Sequence, residues 1–449
     1  MALSIDVLSS YPPVQEAEVD KVLAEEIRDN EKKIVVLDDD PTGVQTVHDI
    51  SVYTNWEKAS IEQGFAEENK LFYILTNSRG FTAAQTEKAH KEIAEVVDQV
   101  AKETGKEYLF ISRSDSTLRG HYPLETTILK DEYEKNTGKK IDGEVLCPFF
   151  KEGGRFTIDD VHYVQYDDTL VPAAETEFAK DKTFGYTVSN LKEYVEEKTQ
   201  GAYKKENVTA ISLENIRELN YDKIEEQLLA VEDFNKVIVN AIDYVDVKIF
   251  CVALFRAMKK GKNFMFRTAA AIVKVMGGVS DQPLLTREQM VVKETDHGGI
   301  IVVGSHTDKT TRQMEKLREN KDIAFVELNA TLVNDEAAFA EEVERCLALE
   351  EEYISSGKSV CVYTTRALIT ADTGDKEDEL RLSVKISDAV QSLVGRLKIT
   401  PGFVIAKGGI TSSDVGTKAL AVKKANVLGQ IKPGIPVWQT GEESRFPLT

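Results

Sequence analysis

The sequence predicts an α/β protein of two domains, each a mostly parallel sheet flanked by helices, with the active site in the cleft between them. Three observations support this fold class. Short apolar runs of strand type alternate with helical segments along the chain, which is typical of parallel sheets. Several of these runs end in polar or glycine-containing loops. The chain has 449 residues, too many for one ordinary core, so two large domains are expected.

The composition narrows the classes of function. Acidic residues outnumber basic ones by 76 to 56, a net charge of −20, so general nucleic-acid binding is not expected. The four cysteines are widely spaced and match no zinc pattern, which predicts reduced thiols without a disulfide in a cytoplasmic protein. The N-terminus lacks the pattern of a signal peptide and no apolar run reaches transmembrane length, so no membrane partner is expected. A homodimer is left open.

The first predicted strand delivers carboxylates to a loop. Residues 34–37 form a short apolar run that stops at three adjacent acids, Asp38, Asp39 and Asp40. A turn containing Gly43 follows, and glycine allows a close backbone approach there. Ligands of open parallel sheets bind beyond the carboxyl ends of the strands, so these acids are the first candidates for chemistry. The alternative is a solvated acidic turn.

The same unit of strand, polar loop and helix recurs. The loop after the next strand leads into a predicted helix, where Thr82 and Gln85 have the spacing of a capping box. The loop at residues 112–121 is dense in hydrogen-bond donors. Further apolar runs of strand type lie at residues 71–75, 108–111, 145–147, 210–213 and 237–239. This alternation predicts the parallel sheet of the N-terminal domain.

Four arginines follow predicted strands: Arg79, Arg113, Arg119 and Arg155. In a chain of net charge −20, their convergence at one edge of a sheet would create a local anion site. Arginine binds carboxylate or phosphate with a bidentate fork, so the substrate is predicted to be an acid. The alternative is that each arginine pairs with a neighbouring carboxylate on the surface.

A second domain is predicted after residues 276–299, which mix glycine, proline and charge. The expected boundaries are 1–280 for the first domain and 295–449 for the second. Residues 299–303 form a buried-strand pattern, and the small residues at 304–307 follow it directly before a helix. The free backbone N–H groups and the positive dipole end of that helix suit a phosphate group.

A glycine pair follows another predicted strand of the second domain. Residues 403–406 lead to Lys407, Gly408 and Gly409, and a helix comes next. Paired glycines let the backbone approach a ligand, although a plain turn is an alternative. The spacing of a Walker loop is absent. Two such loops in one domain favour a nucleotide site.

Seven motifs together resemble the four-carbon acid sugar kinase family, formerly a domain of unknown function. The motifs occur in the expected order, and the resemblance extends from about residue 33 to the end of the chain. They read LDDDPTGVQTVHD, TNSRG, SRSDSTLRGH, CPFFKEGGRFT, FRTAAAIV, VVGSHT and KGGITSSDV. The resemblance implies an ATP-dependent kinase with an N-terminal sugar-acid domain and a C-terminal nucleotide domain. Its known substrates resemble threonate, erythronate and 3-oxo-tetronate.

Two departures limit this resemblance. The first motif reads DDPTGV and the last GGIT, where tetronate kinases tend to have DDFTGA and an acidic residue after the glycine pair. The chain is more similar to a branch that includes kinases of branched oxidised acids such as 3-oxo-isoapionate, so the substrate stays open. The chain also ends at residues 444–449, where relatives usually continue into a glycine-containing segment. A truncated C-terminus with weakened nucleotide affinity is therefore expected.

The resemblance and the residue pattern together suggest roles. The catalytic candidates are Asp39, Asp40, Asp115 and Arg113, with one of the three acids accepting the hydroxyl proton. The substrate-binding candidates are Thr42, Gln45, Arg79, Ser116, Thr117, Arg119, Glu152, Gly153 and Arg155. The nucleotide-binding candidates are Ser305, Gly408, Gly409, Ile410 and Thr411. ATP and Mg²⁺ are the implied cofactors, and no metal ligands are assigned. His121 and His162 are expected to be structural.

Two other functions are considered. Asp38 to Thr42 also fits the DxDxT pattern of haloacid-dehalogenase-like phosphatases, with Asp38 as nucleophile and Asp40 as acid or base. That reading finds no late acidic pair and leaves the second domain without a function. A non-catalytic sugar-acid-binding protein would retain the arginines without phosphoryl transfer, and the expected C-terminal truncation favours it.

Overall fold

The computed structural model describes residues 1–291, 294–305, 307–366, 369 and 376–446. His306 of the predicted phosphate loop and the chain end at residues 447–449 lie outside this part. The chain divides into two compact units. The first contains Met1–Leu284 and Val427–Pro436, and the second contains Leu285–Asn426 and Val437–Thr449. Both units combine helices with mostly parallel sheets, so the predicted two-domain α/β class is confirmed.

The elements alternate along the chain as the hydrophobic pattern predicts. The described strands are β1 (Leu3–Ser4), β2 (Lys33–Asp38), β3 (Ile50–Tyr53), β4 (Leu71–Leu75), β5 (Tyr108–Arg113), β6 (Gly143–Cys147), β7 (Arg155–Ile158), β8 (Val161–Tyr166), β9 (Thr169–Pro172), β10 (Thr209–Ile211), β11 (Asn235–Val239), β12 (Phe264–Thr268), β13 (Ile300–Val303), β14 (Ile323–Leu328), β15 (Ser359–Thr364), β16 (Val404–Lys407), β17 (Lys424–Lys432) and β18 (Ile435–Thr440). The described α-helices are α1 (Glu16–Asp29), α2 (Lys58–Ala66), α3 (Ala83–Thr104), α4 (Leu124–Thr137), α5 (Leu191–Lys198), α6 (Leu213–Arg217), α7 (Tyr221–Leu229), α8 (Tyr244–Lys259), α9 (Ala270–Met276), α10 (Arg287–Met290), α11 (Asp308–Leu317), α12 (Glu336–Ser355), α13 (Lys376–Gly395) and α14 (Gly409–Asp414).

The main sheet of the first unit has its most apolar strands at the centre. In the described residues its order is β10-β11-β6-β12-β5-β2-β4-β3-β17-β18, and the pairings from β10 to β3 are parallel. Residues of β2, β4, β5 and β6 are buried along their whole length, as expected for strands covered on both faces. β17 and β18 extend this sheet beyond β3. A smaller antiparallel sheet has the order β1-β9-β8-β7.

Helix α3 shows how local sequence sets an element. Its first turn carries the predicted capping box, in which the Thr82 side chain accepts from the Gln85 N–H and the Gln85 side chain accepts from the Thr82 N–H. It ends at Gly105, which has the left-handed conformation that favours glycine. Ile93 and Val97, on its apolar stripe, pack into the core beside the sheet.

The second unit contains a parallel sheet with the order β14-β15-β13-β16 in the described residues. Apolar residues of these strands pack with α12 and α13 in one core. The register pairs Val303 with Lys407, so β13 and β16 end side by side. The two predicted phosphate loops therefore follow neighbouring strands.

The four cysteines are all buried and unpaired. Of the helices in the described part of the chain, none is long and apolar enough to cross a membrane.

Candidate active site

The register of the main sheet sets the position of the loop that carries Asp38, Asp39 and Asp40, here called the acid loop. Asp38, the last residue of β2, pairs with Leu75 of β4 on one side and with Arg113 of β5 on the other. The Thr76 N–H and hydroxyl both donate to the Asp38 carbonyl at 2.9 Å. The Asp39 N–H donates to the Arg113 carbonyl at 3.2 Å. These bonds hold the acid loop against the ends of both neighbouring strands.

Two guanidinium groups form ion pairs with the three adjacent acids. Arg79 forms a fork to Asp39, with Nη2–Oδ1 at 2.7 Å and Nε–Oδ2 at 3.2 Å, and its Nη1 lies 3.3 Å from Asp40 Oδ2. Arg113 Nη1 lies 3.1 Å from Asp38 Oδ1 and 3.7 Å from Asp39 Oδ1. All three carboxylates are buried. The loop is thus a buried ion-pair network, in contrast to the solvated acidic turn of the alternative interpretation.

Asp115 connects this network to a third arginine. Arg119 Nε lies 2.7 Å from Asp115 Oδ2, and Arg79 Nη1 lies 3.9 Å from Asp115 Oδ1. The Thr117 hydroxyl also donates to Asp115. The loops after β2, β4 and β5 therefore form one cluster of acids and arginines. Arg79 and Arg113 pair only with acids of this cluster in the described residues, whereas Arg119 also lies 3.9 Å from Asp181.

Arg155 differs from these arginines because it has no carboxylate within 4 Å among the described residues. Its Nη1 donates to the Gly153 carbonyl, and its buried Nε has no hydrogen-bond partner in the described part. The guanidinium carbons of Arg119 and Arg155 lie 5.1 and 5.2 Å from the ring centre of Phe178. Two of the four predicted arginines thus share one aromatic side chain, and one of them lacks a counter-ion.

Sequence reasoning did not assign a role to Arg267, a fifth arginine, which is buried. It lies one residue before the end of β12, opposite Ser112 of β5. Its Nη2 donates to the Arg119 carbonyl at 2.6 Å. A Cβ on Gly120 would lie 3.1 Å from Arg267 Nη2 and 3.3 Å from Asp39 Oδ2. Arg267 therefore reaches the same cluster. Its position near a strand end, within the FRTAAAIV motif, was the signal that could have identified it.

Glu125 of α4 is a second buried residue that sequence reasoning missed. It accepts hydrogen bonds from the hydroxyls of Ser78 at 2.5 Å, Ser114 at 3.3 Å and Ser112 at 3.4 Å. His90 Nε2 lies 3.8 Å from its Oε1. Glu125 thus ties together the loops that carry Arg79 and Arg113. No local sequence signal marks it, because its partners come from other loops.

Several predicted substrate-binding residues lie in the same loops but have internal partners. The Thr42 N–H donates to Asp40 Oδ1 at 2.8 Å, and the Thr42 hydroxyl donates to the same oxygen. Gln45 Oε1 is buried without a partner in the described part. The Ser116 carbonyl bonds His162 Nε2 at 2.7 Å, and the Thr117 carbonyl accepts from a tyrosine hydroxyl. These bonds shape the loop and give the buried His162 a structural role.

Glu152 lies apart from the acid cluster. Its Oε1 accepts from the Tyr244 hydroxyl at 2.8 Å, while its Oε2 is buried without a partner in the described residues. The neighbouring Gly153 contributes its carbonyl to Arg155. Gly153 therefore contacts an arginine of the site, whereas Glu152 makes no contact with the acids among the described residues.

Burial and ion pairing raise the pKa of two acids of the cluster and lower the pKa of two others. Burial raises the pKa of Asp38 to about 7, against the opposing effect of Arg113. Burial also raises the pKa of Asp39. For Asp40 and Asp115, burial acts in the same direction, but Arg79 and hydrogen bonds outweigh it and lower the pKa of each carboxyl. Asp40 and Asp115 are therefore firmly anionic at neutral pH.

Because the pKa of Asp38 is raised, we expect the substitution Asp38→Asn to change how the free energy of unfolding depends on pH. The pKa of Asp38 is about 7 in the folded protein and near 3.8 in the unfolded chain. The folded state therefore holds more protons between these values, and Asp38 contributes less stability as the pH rises. The free energy of unfolding of the wild type, relative to Asp38→Asn, should fall by up to about 1.4 kcal/mol per pH unit. Urea unfolding from pH 4 to 7 measures it, and a pH-independent difference would contradict it.

The two small-residue loops of the second unit touch each other. A Cβ on Gly304 would overlap Thr411 Oγ1, and a Cβ on Gly408 would lie 3.5 Å from Ser305 Cβ. Gly408 has φ +115°, a conformation that L side chains rarely adopt. Arg366, which follows β15, donates from Nη1 to the Ser305 carbonyl at 2.6 Å. The structure thus brings Ser305, Gly408 and Thr411 together and adds Arg366 to them.

Charge at these loops favours an anionic ligand. Burial lowers the pKa of Lys407, and the nearby Lys309 lowers it further. Neither lysine has a carboxylate within 4 Å among the described residues. Gly409 begins α14, and the next residue, Ile410, is 70% exposed. The cationic and glycine-rich features fit a phosphate group, and sequence reasoning had not included the lysines.

The contact between the loops predicts a local effect of Gly304→Ala. The added methyl would overlap Thr411 Oγ1 and force the two loops apart, so nucleotide affinity should fall about tenfold. Gly416→Ala is the matched control, because a Cβ there meets nothing within 4 Å. Calorimetric titration with ATP measures both variants. Equal affinities for the two variants would show that the loop contact does not affect the nucleotide.

The chain matches family models over most of its length. Residues 34–276 match the sugar-binding N-terminal domain, and residues 300–449 match the nucleotide-binding C-terminal domain. The chain belongs to the four-carbon acid sugar kinase family. The resemblance seen in its motifs is thereby confirmed. The acids and arginines of this family member lie in its sugar-binding domain, and its glycine loops lie in its nucleotide-binding domain.

Solved structures share the fold of this family member. A Salmonella typhimurium LT2 protein, provisionally described as a tRNA synthase, has a TM-score of 0.63 and 14% identity, covering 92% of this chain and 94% of its own. A Haemophilus influenzae protein of the family DUF1537 has a TM-score of 0.57 and 18% identity, covering 91% and 94%. At these identities the likeness shows the fold alone. No curated protein matches the sequence.

Proposed function

We propose that this protein is an ATP-dependent kinase that phosphorylates a hydroxyl of a small sugar acid. The observation that carries the proposal is Arg155, a largely buried guanidinium of the sugar-binding domain without a carboxylate partner in the described residues. A buried cation needs an anion, and a substrate carboxylate supplies one in the fork geometry that arginine prefers. A neutral sugar would leave Arg155 uncompensated.

The acids of the cluster suit the rest of such a substrate. Asp40 and Asp115 are held anionic by Arg79, so they can only accept hydrogen bonds, and sugar hydroxyls are donors. One of the three acids Asp39, Asp40 and Asp115 accepts the proton of the reacting hydroxyl. Both carboxylate oxygens of Asp39 already accept from Arg79, so a substrate hydroxyl competes with that arginine for Asp39. Arg113 pairs with Asp38, and Arg79 pairs with Asp39, before substrate enters.

The nucleotide-binding domain supports the other half of the reaction. ATP would supply the phosphoryl group, and Mg²⁺ would neutralise its phosphates. Gly304, Ser305 and Gly408 would present backbone N–H groups, and Lys309 and Lys407 would add positive charge. Gly409, Ile410 and Thr411 would line the same loop. The described residues hold no cluster of three metal-binding side chains, so no protein ligand of Mg²⁺ is assigned; this ion commonly keeps several waters.

The proposed step is a single displacement. The substrate O–H bond breaks and its proton moves to one of the acids Asp39, Asp40 and Asp115. The hydroxyl oxygen forms the new bond to the γ-phosphorus of ATP, and the bond from that phosphorus to the oxygen that leaves with ADP breaks. Arg155 and Arg119 hold the carboxylate, which fixes the orientation of the reacting hydroxyl.

The phosphatase alternative conflicts with the position of its nucleophile. Asp38 is 1% exposed, and one of its carboxylate oxygens lies 3.1 Å from Arg113. The backbone of Gly43 covers this carboxylate so closely that a Cβ there would overlap both oxygens. A nucleophile that attacks phosphorus must be reachable by the substrate. The geometry of Asp38 therefore favours a structural role.

The test is ADP release from Mg-ATP with a panel of four- to six-carbon sugar acids, including 3-oxo and branched acids. We expect turnover with at least one acid and none with the corresponding sugar alcohol. Binding of an acid without ADP release would support the non-catalytic alternative. Phosphate release from sugar phosphates without ATP would support the phosphatase.

A further inference from the structure

An open cavity lies at the opposite ends of the strands that carry the acid cluster. It has a volume of about 460 Å³ and is lined by residues that immediately precede four strands of the main sheet. Lys32 precedes β2, Glu107 precedes β5, Asp142 precedes β6 and Asn263 precedes β12. These strands are neighbours in the sheet. A strand of six residues is about 20 Å long, so the cavity is well separated from the acid loop.

Hydrogen bonds order the wall of this cavity. Asn263 is central, because its N–H donates to Asp142 Oδ2 at 2.8 Å and its Nδ2 donates to the Lys140 carbonyl at 3.2 Å. Its Oδ1 accepts from Lys32 Nζ at 2.9 Å. The arrangement joins the starts of β2, β6 and β12 through one amide side chain.

Two ammonium groups of the wall lack a carboxylate partner. Lys32 donates only to the neutral Asn263 amide among the described residues, and Lys140 has no hydrogen bond or ion pair from its side chain there. The carboxylates of the wall are already engaged, Glu107 with Lys139 and Asp142 with Lys262. Burial lowers the pKa of Lys32, and the nearby negative charge of Glu107 only partly offsets this effect.

We propose that this cavity binds a small phosphate monoester that carries hydroxyl groups. Lysine is a compact point charge that binds phosphate, whereas planar carboxylates favour the arginine fork. No arginine lines this cavity in the described residues. Hydroxyl groups of the ligand would donate to Glu107 and Asp142, whose remaining oxygen lone pairs can accept them. The inference concerns binding alone and does not depend on the proposed reaction.

Hydrogen exchange of the full chain with millimolar glycerol 1-phosphate tests the proposal. We expect slower exchange in the segments that contain Lys32, Lys140 and Gly261. Lys32→Met and Lys140→Met should each weaken this protection about tenfold. The side chain of Lys140 is exposed, so its variant keeps the fold even if Lys32→Met does not. Lys223→Met is the matched control, because Lys223 is exposed and distant in sequence from the cavity.

Two further measurements distinguish binding of the ester at this cavity from binding at the acid cluster and from binding of phosphate alone. Arg155→Met should weaken binding at the acid cluster while the protection of the Lys32 and Lys140 segments persists. Inorganic phosphate should protect these segments less than the ester, because it lacks the hydroxyl groups. Protection that is absent, or that is unchanged in both lysine variants, would overturn the proposal. Equal protection by inorganic phosphate would overturn the preference for a hydroxylated ester.

Discussion

Arg155→Met is expected to raise the KM for the sugar acid by about 100-fold, because it removes a charge-assisted fork to the substrate carboxylate. Arg155 is the residue of choice for this test because its guanidinium has no carboxylate partner among the described residues. Its removal therefore leaves no acid of the protein unpaired. The loss should appear mainly in KM rather than in the stability of the fold.

The measurement compares steady-state kinetics on the acid and on its sugar alcohol. The wild type should discriminate strongly in favour of the acid, and Arg155→Met should lose most of that discrimination, with Arg155→Lys intermediate. Arg256→Met is the matched control, since Arg256 pairs with Glu26 at 3.0 Å and stacks over Tyr221 away from the acid cluster. If Arg155→Met retained the preference for the acid, another group would have to bind the carboxylate.

Lys236→Met is expected to lower the free energy of unfolding of the first unit by about 3–5 kcal/mol. Lys236 of β11 and Glu144 of β6 are fully buried, and their Nζ and Oε2 atoms lie 2.7 Å apart. The ammonium also lies 3.4 Å from the ring centre of Phe234. The substitution leaves Glu144 buried without its counter-ion, and this uncompensated charge is the source of the large loss.

A double variant separates the charge from the packing. Lys236→Met combined with Glu144→Gln removes both charges and should recover most of the lost stability. Trp56 lies in the first unit and reports its unfolding by fluorescence once Trp438 is replaced with phenylalanine. Lys223→Met, an exposed substitution, should change the free energy by less than about 0.5 kcal/mol. A double variant as unstable as Lys236→Met would show that packing, not the ion pair, is responsible.

Local pattern was enough to predict the architecture and to place the candidate acids and arginines at one edge of the main sheet. Short apolar runs such as residues 34–37 become buried parallel strands because only a strand covered on both faces is apolar at every position. The carboxyl ends of parallel strands share one edge, so residues that follow different strands meet there. This rule predicts that Asp38 to Asp40 lie near Arg79 and Arg113, as they do in the structure.

Pairing within the cluster could not be predicted in the same way. Which arginine neutralises which acid depends on distances of a few ångströms across strands, as for Arg113 with Asp38 and Arg155 with none in the described part. The contacts of Arg267 and Glu125 with the cluster could not be predicted either, because their partners lie far away in sequence. The catalytic and binding roles of these residues stay predictions.

The sequence alone was sufficient for the α/β class, the two domains and the family, because hydrophobic period and motif order are properties of the chain itself. The tertiary structure decided that Asp38 is buried and titrates near neutral pH, and that residues 427–436 return to the first unit. It also decided that Lys32 and Lys140 line a cavity at the far end of the sheet. Burial, charge compensation and strand order are set by contacts between distant segments, and no local pattern encodes those contacts.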